Sequence, residues 1–175
     1  MVPQYIKYQT KRRVKNMAEI RATNMAGKFG KMIPVRIRPG TDVMEGLKKA
    51  CEDNGVKYGG ILFGIGSIRQ LCYQVLVPKK ESIWGAGYTD PATIPGPIEI
   101  VGISGVIFQS EEGETLLHIH GTFSDQKGKC FGGHLVMGQN PVLATTDAII
   151  AELTDAKMIR RMDPELGMGI FNPEP

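Results

Sequence analysis

The stretch of residues 116–135 constrains the fold more than any other part of the chain. Its middle reads Asp125-Gln126-Lys127-Gly128. Asp in the first position and Gly in the fourth favour a type I turn that closes with a left-handed glycine. A three-residue hairpin loop of this kind pairs Asp125 with Lys129. Because side chains alternate between the two faces of a strand, that one pairing predicts the face of every residue on both strands.

The predicted register places His120 directly opposite His134, with His118 two residues further along the same face. A shift by one residue would move His134 onto the opposite face, where the pairs are apolar or small. The hydrophobic pattern therefore selects this register without reference to the histidines. The pairs predicted for that opposite face are Phe123 with Phe131, Gly121 with Gly133, Ile119 with Leu135, and Leu117 with Met137.

The three histidines on this face are all the histidines of the chain. Directly opposite residues have Cβ atoms roughly 4.5–5.5 Å apart, so the imidazoles converge, and their neighbours Thr122 and Gly132 are too small to fill the remaining space. A lone histidine is usually a surface or hydrogen-bonded core residue, whereas three nitrogen ligands with a free fourth position are typical of an open metal site. We predict a divalent metal ligated by His118, His120 and His134, with zinc first and iron, nickel or copper as alternatives.

The rest of the chain predicts several strands and one well-defined helix. Asp42, followed by Glu45, begins a helix at about residues 42–54, and Asn54-Gly55 ends it. Residues 78–97, with four prolines, predict a long loop that rims the metal pocket and contains a short strand near 84–88. The periodicity of residues 144–153 fits either a helix or a strand. The predicted strands are residues 31–38, 56–65, 71–77 and 98–109.

Glu99 is a carboxylate within the otherwise apolar strand 98–109. One interpretation is a solvent-facing strand position. The other is a pocket carboxylate that acts as a metal ligand or general base, and the sequence leaves both open. If the metal is catalytic, Glu99 is the candidate proton carrier. A small carboxylate is then the expected ligand, because a divalent cation held by three neutral imidazoles attracts an anion to its open position.

Composition predicts one soluble globular domain, with 42% hydrophobic and 22% charged residues in 175. No apolar run approaches the roughly 18 residues of a membrane helix, and the N-terminus lacks the apolar stretch of a signal peptide. The three cysteines, Cys51, Cys72 and Cys130, are odd in number and lack metal-type spacing. These features predict a reduced, cytoplasmic protein without a membrane partner.

The net charge of +3 is unevenly distributed. Residues 1–30 hold seven Lys/Arg against one acidic residue, whereas residues 31–175 hold 14 basic against 17 acidic residues. We therefore divide the chain into a basic N-terminal extension, residues 1–25, and a domain, residues 26–175. The cluster Lys11, Arg12, Arg13 and Lys15 is the candidate nucleic-acid contact. A solvated arm, or one that packs on a neighbouring subunit, is the favoured alternative, because such short basic runs carry no base-reading geometry.

Several motifs resemble the plants-and-prokaryotes conserved (PPC) domain in its bacterial and archaeal form. The most specific are His118-Ile119-His120 and Gly132-Gly133-His134-Leu135. Three further stretches agree and occur in the same order: Ile37-Arg38-Pro39-Gly40-Thr41-Asp42, Gly64-Ile65-Gly66-Ser67-Ile68, and Gly96-Pro97-Ile98-Glu99-Ile100-Val101-Gly102-Ile103-Ser104-Gly105.

The resemblance implies an α+β domain with a mixed, largely antiparallel sheet that assembles as a homotrimer. It also implies a strand at residues 144–153 and a closing strand near 166–171. Two functions follow from it: a DNA-associated, regulatory module, or a metal-dependent enzyme. The family resembles acetolactate decarboxylase, in which zinc polarises a carbonyl. A metal that only locks the trimer is a third alternative. The extension lacks the Arg-Gly-Arg-Pro core of the AT-hook in plant relatives.

Overall fold

The computed structural model describes residues 21–175, which form one helix and ten strands. Eight strands make one sheet in the order β1-β8-β2-β7-β6-β5-β9-β10, and β3 pairs with β4 alone. Pairing is antiparallel throughout the described residues, except for one parallel contact between β5 and β9. The predicted α+β class is confirmed. The elements are β1 (Lys28–Ile37), α1 (Val43–Asn54), β2 (Gly59–Gln74), β3 (Leu76–Pro78), β4 (Ala86–Tyr88), β5 (Ala92–Gln109), β6 (Thr115–Asp125), β7 (Cys130–Leu135), β8 (Val142–Thr154), β9 (Lys157–Asp163) and β10 (Met168–Glu174).

Four strands of the sheet close into a ring. β5, β6 and β7 pair in succession, and β2 pairs with both β5 and β7. The β2–β7 contact is short and joins Tyr73 to Leu135 and Gln74 to His134. His134 therefore has a backbone partner on each side, because β7 also pairs His134 with His120 of β6. Closure of the ring fixes the position of this histidine.

The helix begins and ends where the sequence predicts. Asp42 caps it by accepting hydrogen bonds from the backbone N–H groups of Met44 at 2.9 Å and Glu45 at 3.0 Å. Gly55 ends it with a φ of 66°. The other carboxylate oxygen of Asp42 accepts from the Asn140 backbone at 2.7 Å, which ties the helix start to the segment after β7. The helix packs on β6, β1 and β8 through its buried residues Val43, Met44, Leu47 and Cys51.

Several strand boundaries differ from the sequence expectation. β2 is a single strand that runs through Gly64 and Gly66, with register shifts at both, and it joins the two strands predicted at 56–65 and 71–77. β5 begins at Ala92, inside the predicted loop, which is therefore shorter than expected. Residues 144–153 are a strand, as the resemblance implied. β9 was not predicted from the sequence. Its register against β10 comes from pairing that no local pattern specifies.

The candidate nucleic-acid residues Lys11, Arg12, Arg13 and Lys15 lie outside the described residues. Residues 21–25, the end of the predicted extension, carry no regular secondary structure. Among the described residues, the helix is neither long enough nor apolar enough to traverse a bilayer.

Candidate metal centre

The turn of the β6–β7 hairpin is the three-residue loop that its sequence predicts. The N–H of Gly128 donates to the carbonyl of Asp125 at 2.9 Å, and the N–H of Asp125 donates to the carbonyl of Lys129 at 3.1 Å. Gly128 has a φ of 75°, in the left-handed region. The Asp125 carboxylate accepts from the N–H groups of Lys127 at 2.8 Å and Lys129 at 2.9 Å. The Asp125 side chain therefore stabilises the turn by accepting two backbone hydrogen bonds, and the turn fixes the register of β6 and β7.

The register places His120 opposite His134, as predicted. The pairs Gly121–Gly133, Thr122–Gly132 and Phe123–Phe131 are also formed. Two predicted pairs, Ile119–Leu135 and Leu117–Met137, are not formed, because β7 leaves β6 after His134. Leu135 pairs instead with Tyr73 of β2, and β7 ends there. The early departure of β7 is the physical consequence of closing the ring.

The three imidazoles converge on one point of the sheet surface. Nε2 of His118 lies 2.8 Å from Nε2 of His120. One ring nitrogen from each of His118, His120 and His134 lies within 4.8 Å of the others. The ring centroids are 4.8 Å to 5.3 Å apart. Such a cluster matches the donor set of an open three-histidine metal site.

Burial and the neighbouring positive charges lower the pKa of two of these imidazoles, His118 and His134. The pKa of His134 falls to about 4, chiefly because burial disfavours the charged ring and then because His118 and His120 repel a proton. The pKa of His118 is lowered by burial, by His120 and by Arg160. At neutral pH these rings are in the unprotonated form that ligates metals.

One buried atom of the cluster lacks a hydrogen-bond partner. Among the described residues, Nδ1 of His134 is inaccessible to solvent and has no hydrogen-bond partner. Such atoms are rare in folded proteins. Nearby, the Tyr88 hydroxyl lies 3.4 Å from Nε2 of His120, and the Tyr88 ring stacks obliquely on His134 at 5.1 Å.

Three hollows border the histidines. One, of about 340 Å³, is lined by His120, Ser104 and Thr122. A second, of about 290 Å³, lies between Gln74, Tyr88, Gly132 and His134. The third, of about 550 Å³, has His118 and His134 on one side and Arg160 on another. Thr122 and Gly132 thus border open space beside the histidines.

Glu99 lies away from the triad. It pairs with Ser124 of β6 and Ser67 of β2, and its side chain is exposed. Ser124 is four residues from His120, which corresponds to roughly 13 Å along a strand. Glu99 lines a separate cavity of about 700 Å³ that includes Asp147. Within one chain, Glu99 is therefore not a carboxylate beside the histidines, and its position matches the solvent-facing interpretation.

Sequence reasoning missed two residues at the site. Tyr88 lies in β4, where the chain returns against β3, and its position in the predicted short strand was the available signal. Arg160 lies in β9, a strand that was not predicted from the sequence. The residues of β9 show no apolar–polar alternation, so no local signal in the sequence indicates that this strand brings Arg160 to the histidines.

The model of the Plants and Prokaryotes Conserved (PCC) domain matches residues 24–154, most of the chain. The chain belongs to this PPC family. Its fold is also that of several solved structures. A PPC protein from Pyrococcus horikoshii is 20% identical with a TM-score of 0.72, over 88% of this chain and 99% of that one. A metal-containing protein from Archaeoglobus fulgidus is 20% identical with a TM-score of 0.70, over 87% and 99%. A candidate DNA-binding protein from Bacteroides thetaiotaomicron is 25% identical with a TM-score of 0.66, over 83% and 96%.

The curated relatives are longer proteins. The bifunctional protein GlmU of Synechococcus sp. strain JA-2-3B'a(2-13) is 26% identical over 137 residues. The match covers 78% of this chain but 19% of that relative. GlmU of strain JA-3-3Ab is 24% identical, and the match covers 20% of its length. The PPC chain thus spans about one fifth of the relatives that it matches.

Proposed function

We propose that this PPC protein binds one divalent metal ion, with zinc first, through His118, His120 and His134. We further propose that a small carboxylate binds at the open position of that metal. The observation that carries the proposal is the convergence of the three ring nitrogens within 4.8 Å of one another. The low proton affinity of His134 supports it, because a metal does not have to displace a proton there at neutral pH.

The buried Nδ1 of His134 has no hydrogen-bond partner within the described chain, which also supports the binding of a further group at this cluster. A metal held by three neutral imidazoles keeps its full positive charge and acts as a Lewis acid toward oxygen ligands. The hollows beside Thr122, Gly132 and Arg160 leave room for such a ligand. The relative from Archaeoglobus fulgidus is described as metal-containing, which is consistent with a metal in this family.

The test is metal analysis of purified protein with matched variants on one strand. His120→Ala and the His118→Ala/His120→Ala double variant should lose stoichiometric zinc, because each change removes a ligand. Thr122→Ala, two residues from His120 on the same face, should retain it. Full zinc occupancy in the double variant would contradict the proposed site.

A homotrimer is the proposed assembly. Two edges of the sheet, β1 and β10, end without a further strand in the described chain, and exposed edges favour association. An apolar group on β2 and β5, each member about half exposed, also favours burial against another copy: Leu62, Phe63, Ile65 and Val101. Light scattering at micromolar concentration should give three times the mass of the chain. A monomer mass would contradict this proposal.

Association with DNA is the second candidate function. The relative from Bacteroides thetaiotaomicron, described as a candidate DNA-binding protein, favours it. Residues 31–175 carry more acidic than basic side chains, so any contact with phosphates should reside in the N-terminal extension. Deleting residues 1–25 should abolish salt-sensitive DNA binding. Equal binding by the shortened chain would place the contact surface elsewhere.

The metal-dependent lyase has less support. Neither the family description nor the solved relatives named above refer to such an activity. The acid proposed as proton carrier, Glu99, lies in a different cavity from the histidines. We therefore favour a metal-dependent binding module, with a regulatory or DNA-associated role, over an enzyme resembling acetolactate decarboxylase.

A further inference from the structure

The cavity of about 550 Å³ beside the histidines combines an apolar wall with one cationic side chain. We call it the arginine cavity. His118 and His134 form one side, and the β9–β10 hairpin forms the opposite side. Four apolar residues supply most of the remaining wall: Phe108, Leu117, Met168 and Phe171. Its volume lies in the range of about 300–1,000 Å³ that is usual for small-molecule sites.

Arg160 is held against the backbone of the opposite strand. It pairs with Phe171 in the β9–β10 ladder, and its Nε donates to the carbonyl of Gly169 at 3.3 Å. Gly169 permits this approach, because a Cβ on that residue would lie 2.7 Å from Nε of Arg160. The guanidinium is therefore positioned at the cavity wall by the backbone of its own hairpin.

Arg160 has no carboxylate within salt-bridge distance among residues 21–175, in contrast to its neighbour Arg161. Arg161, which projects from the other face of β9, pairs with Glu111 and Glu174. Among the described residues, no aspartate or glutamate lines the arginine cavity. The charge of Arg160 thus remains available to an anion inside it. Guanidinium groups bind carboxylates through paired hydrogen bonds.

The aromatic wall indicates the other half of the ligand. The rings of Phe108 and Phe171 lie 5.8 Å apart at 33°, so strands β5 and β10 present a continuous apolar surface. Phe171 is only partly buried by its neighbours. A ligand with an aromatic or branched aliphatic group would bury this surface, and such burial favours binding.

We propose that the arginine cavity binds a carboxylic acid that carries an aromatic or branched apolar group. The carboxylate proposed for the open position of the metal also pairs with Arg160, and the apolar group lies against Leu117 and Phe171. The inference deepens the function proposed above, since His118 and His134 belong to both sites. It names the class of carboxylate and assigns its recognition to a hairpin that follows the segment matched by the family model, residues 24–154.

The test is calorimetric titration of the full zinc-loaded chain with phenylpyruvate and with pyruvate. Phenylpyruvate should bind at least about 10-fold more tightly, because its ring adds buried apolar area. Arg160→Gln should weaken phenylpyruvate binding by about 10-fold or more, because it removes a charged hydrogen-bond donor. Arg161→Gln removes the same charge one residue away and should change binding less than twofold.

Gly169→Ala provides a variant that keeps every charge. Its Cβ should displace the Arg160 side chain and weaken the binding of both acids, because each presents a carboxylate to Arg160. Thermal melts of each variant check that the fold is retained. Equal affinities for the two acids, or equal effects of Arg160→Gln and Arg161→Gln, would overturn the inference.

Zinc content measured on the same samples separates the two proposals. If zinc fails to bind the triad, the metal proposal fails. The effect of Arg160→Gln on phenylpyruvate binding is then measured with the metal-free chain. If zinc binds and Arg160→Gln has no effect, the arginine cavity proposal fails while the metal proposal stands.

Discussion

Two hairpins meet at the histidines, and they are held in different ways. β6–β7 lies inside the sheet, where β6 pairs with β5 and β7 pairs with β2, and its Ile119 and Phe123 are fully buried. β9–β10 lies at the edge and joins the sheet through one parallel pairing, Gln109 with Ile159. Met162 of β9 is 70% exposed. The first hairpin carries the metal ligands, and the second supplies the wall that faces them.

Because the two hairpins are held differently, they control different properties of the site: the geometry of the metal ligands and the shape of the ligand wall. The positions of the metal ligands depend on a register that a turn and a buried core determine together. The ligand wall depends on a peripheral hairpin that buries Met158 of β9 and leaves its other side chains partly or fully exposed. We therefore expect stability and metal affinity to follow β6–β7, and ligand preference to follow β9–β10.

Two matched truncations give the largest expected contrast. Phe123→Ala removes a fully buried ring and should lower the free energy of unfolding by about 3–5 kcal/mol. Phe171→Ala removes a partly buried ring and should cost about 1–2 kcal/mol. Denaturant unfolding at one fixed protein concentration measures both, since assembly contributes to apparent stability. Equal losses would show that the edge hairpin is as integral to the core as β6–β7.

Acid should destabilise the metal-stripped protein because His134 of the β6–β7 hairpin resists protonation in the folded chain. The pKa of His134 is about 4 in the folded chain, against the ordinary value of 6.5. Below pH 6.5 the unfolded chain therefore binds a proton that the folded chain does not. Stability should fall progressively as the pH drops from 6.5 toward 4, by on the order of 1 kcal/mol per unit of the shift.

The control for this pH dependence is His134→Gln, which removes the titrating ring. Urea unfolding of both proteins between pH 7 and pH 4 measures the difference. If the variant loses stability over this range as steeply as the native chain, other groups dominate the acid response.

Cysteine alkylation gives the smallest expected effect. It tests the β6–β7 register at the turn end of the hairpin, away from the histidines. Cys130 pairs with Ser124 and is exposed, four residues from His134 and thus roughly 13 Å along the strand. Zinc should leave its alkylation rate unchanged. Cys51 should stay unreactive in the folded chain, because burial raises its pKa to about 11. Protection of Cys130 by zinc would imply that its thiolate ligates the metal.

The same contrast explains which features the sequence could predict. Asp125 and Gly128 specify their turn locally, and the apolar alternation of β6 specifies its buried face, so the His120–His134 pair follows from neighbouring residues. Asp42 and Gly55 bound the helix in the same local way. The departure of β7 toward Tyr73 and the approach of Arg160 to the histidines both arise from long-range pairing. The sequence leaves Glu99 open between a solvent-facing and a pocket position for a related reason, since strand pairing decides which part of the sheet it reaches.

The most direct test of the central claim is X-ray absorption at the zinc edge of the metal-loaded protein. We predict three imidazole nitrogens at about 2.0–2.1 Å together with oxygen at the remaining position. Addition of a carboxylate should change the oxygen shell and leave the nitrogen shell intact. A sulfur ligand, fewer than three imidazoles, or a fourth position closed by a side chain would contradict an open three-histidine centre.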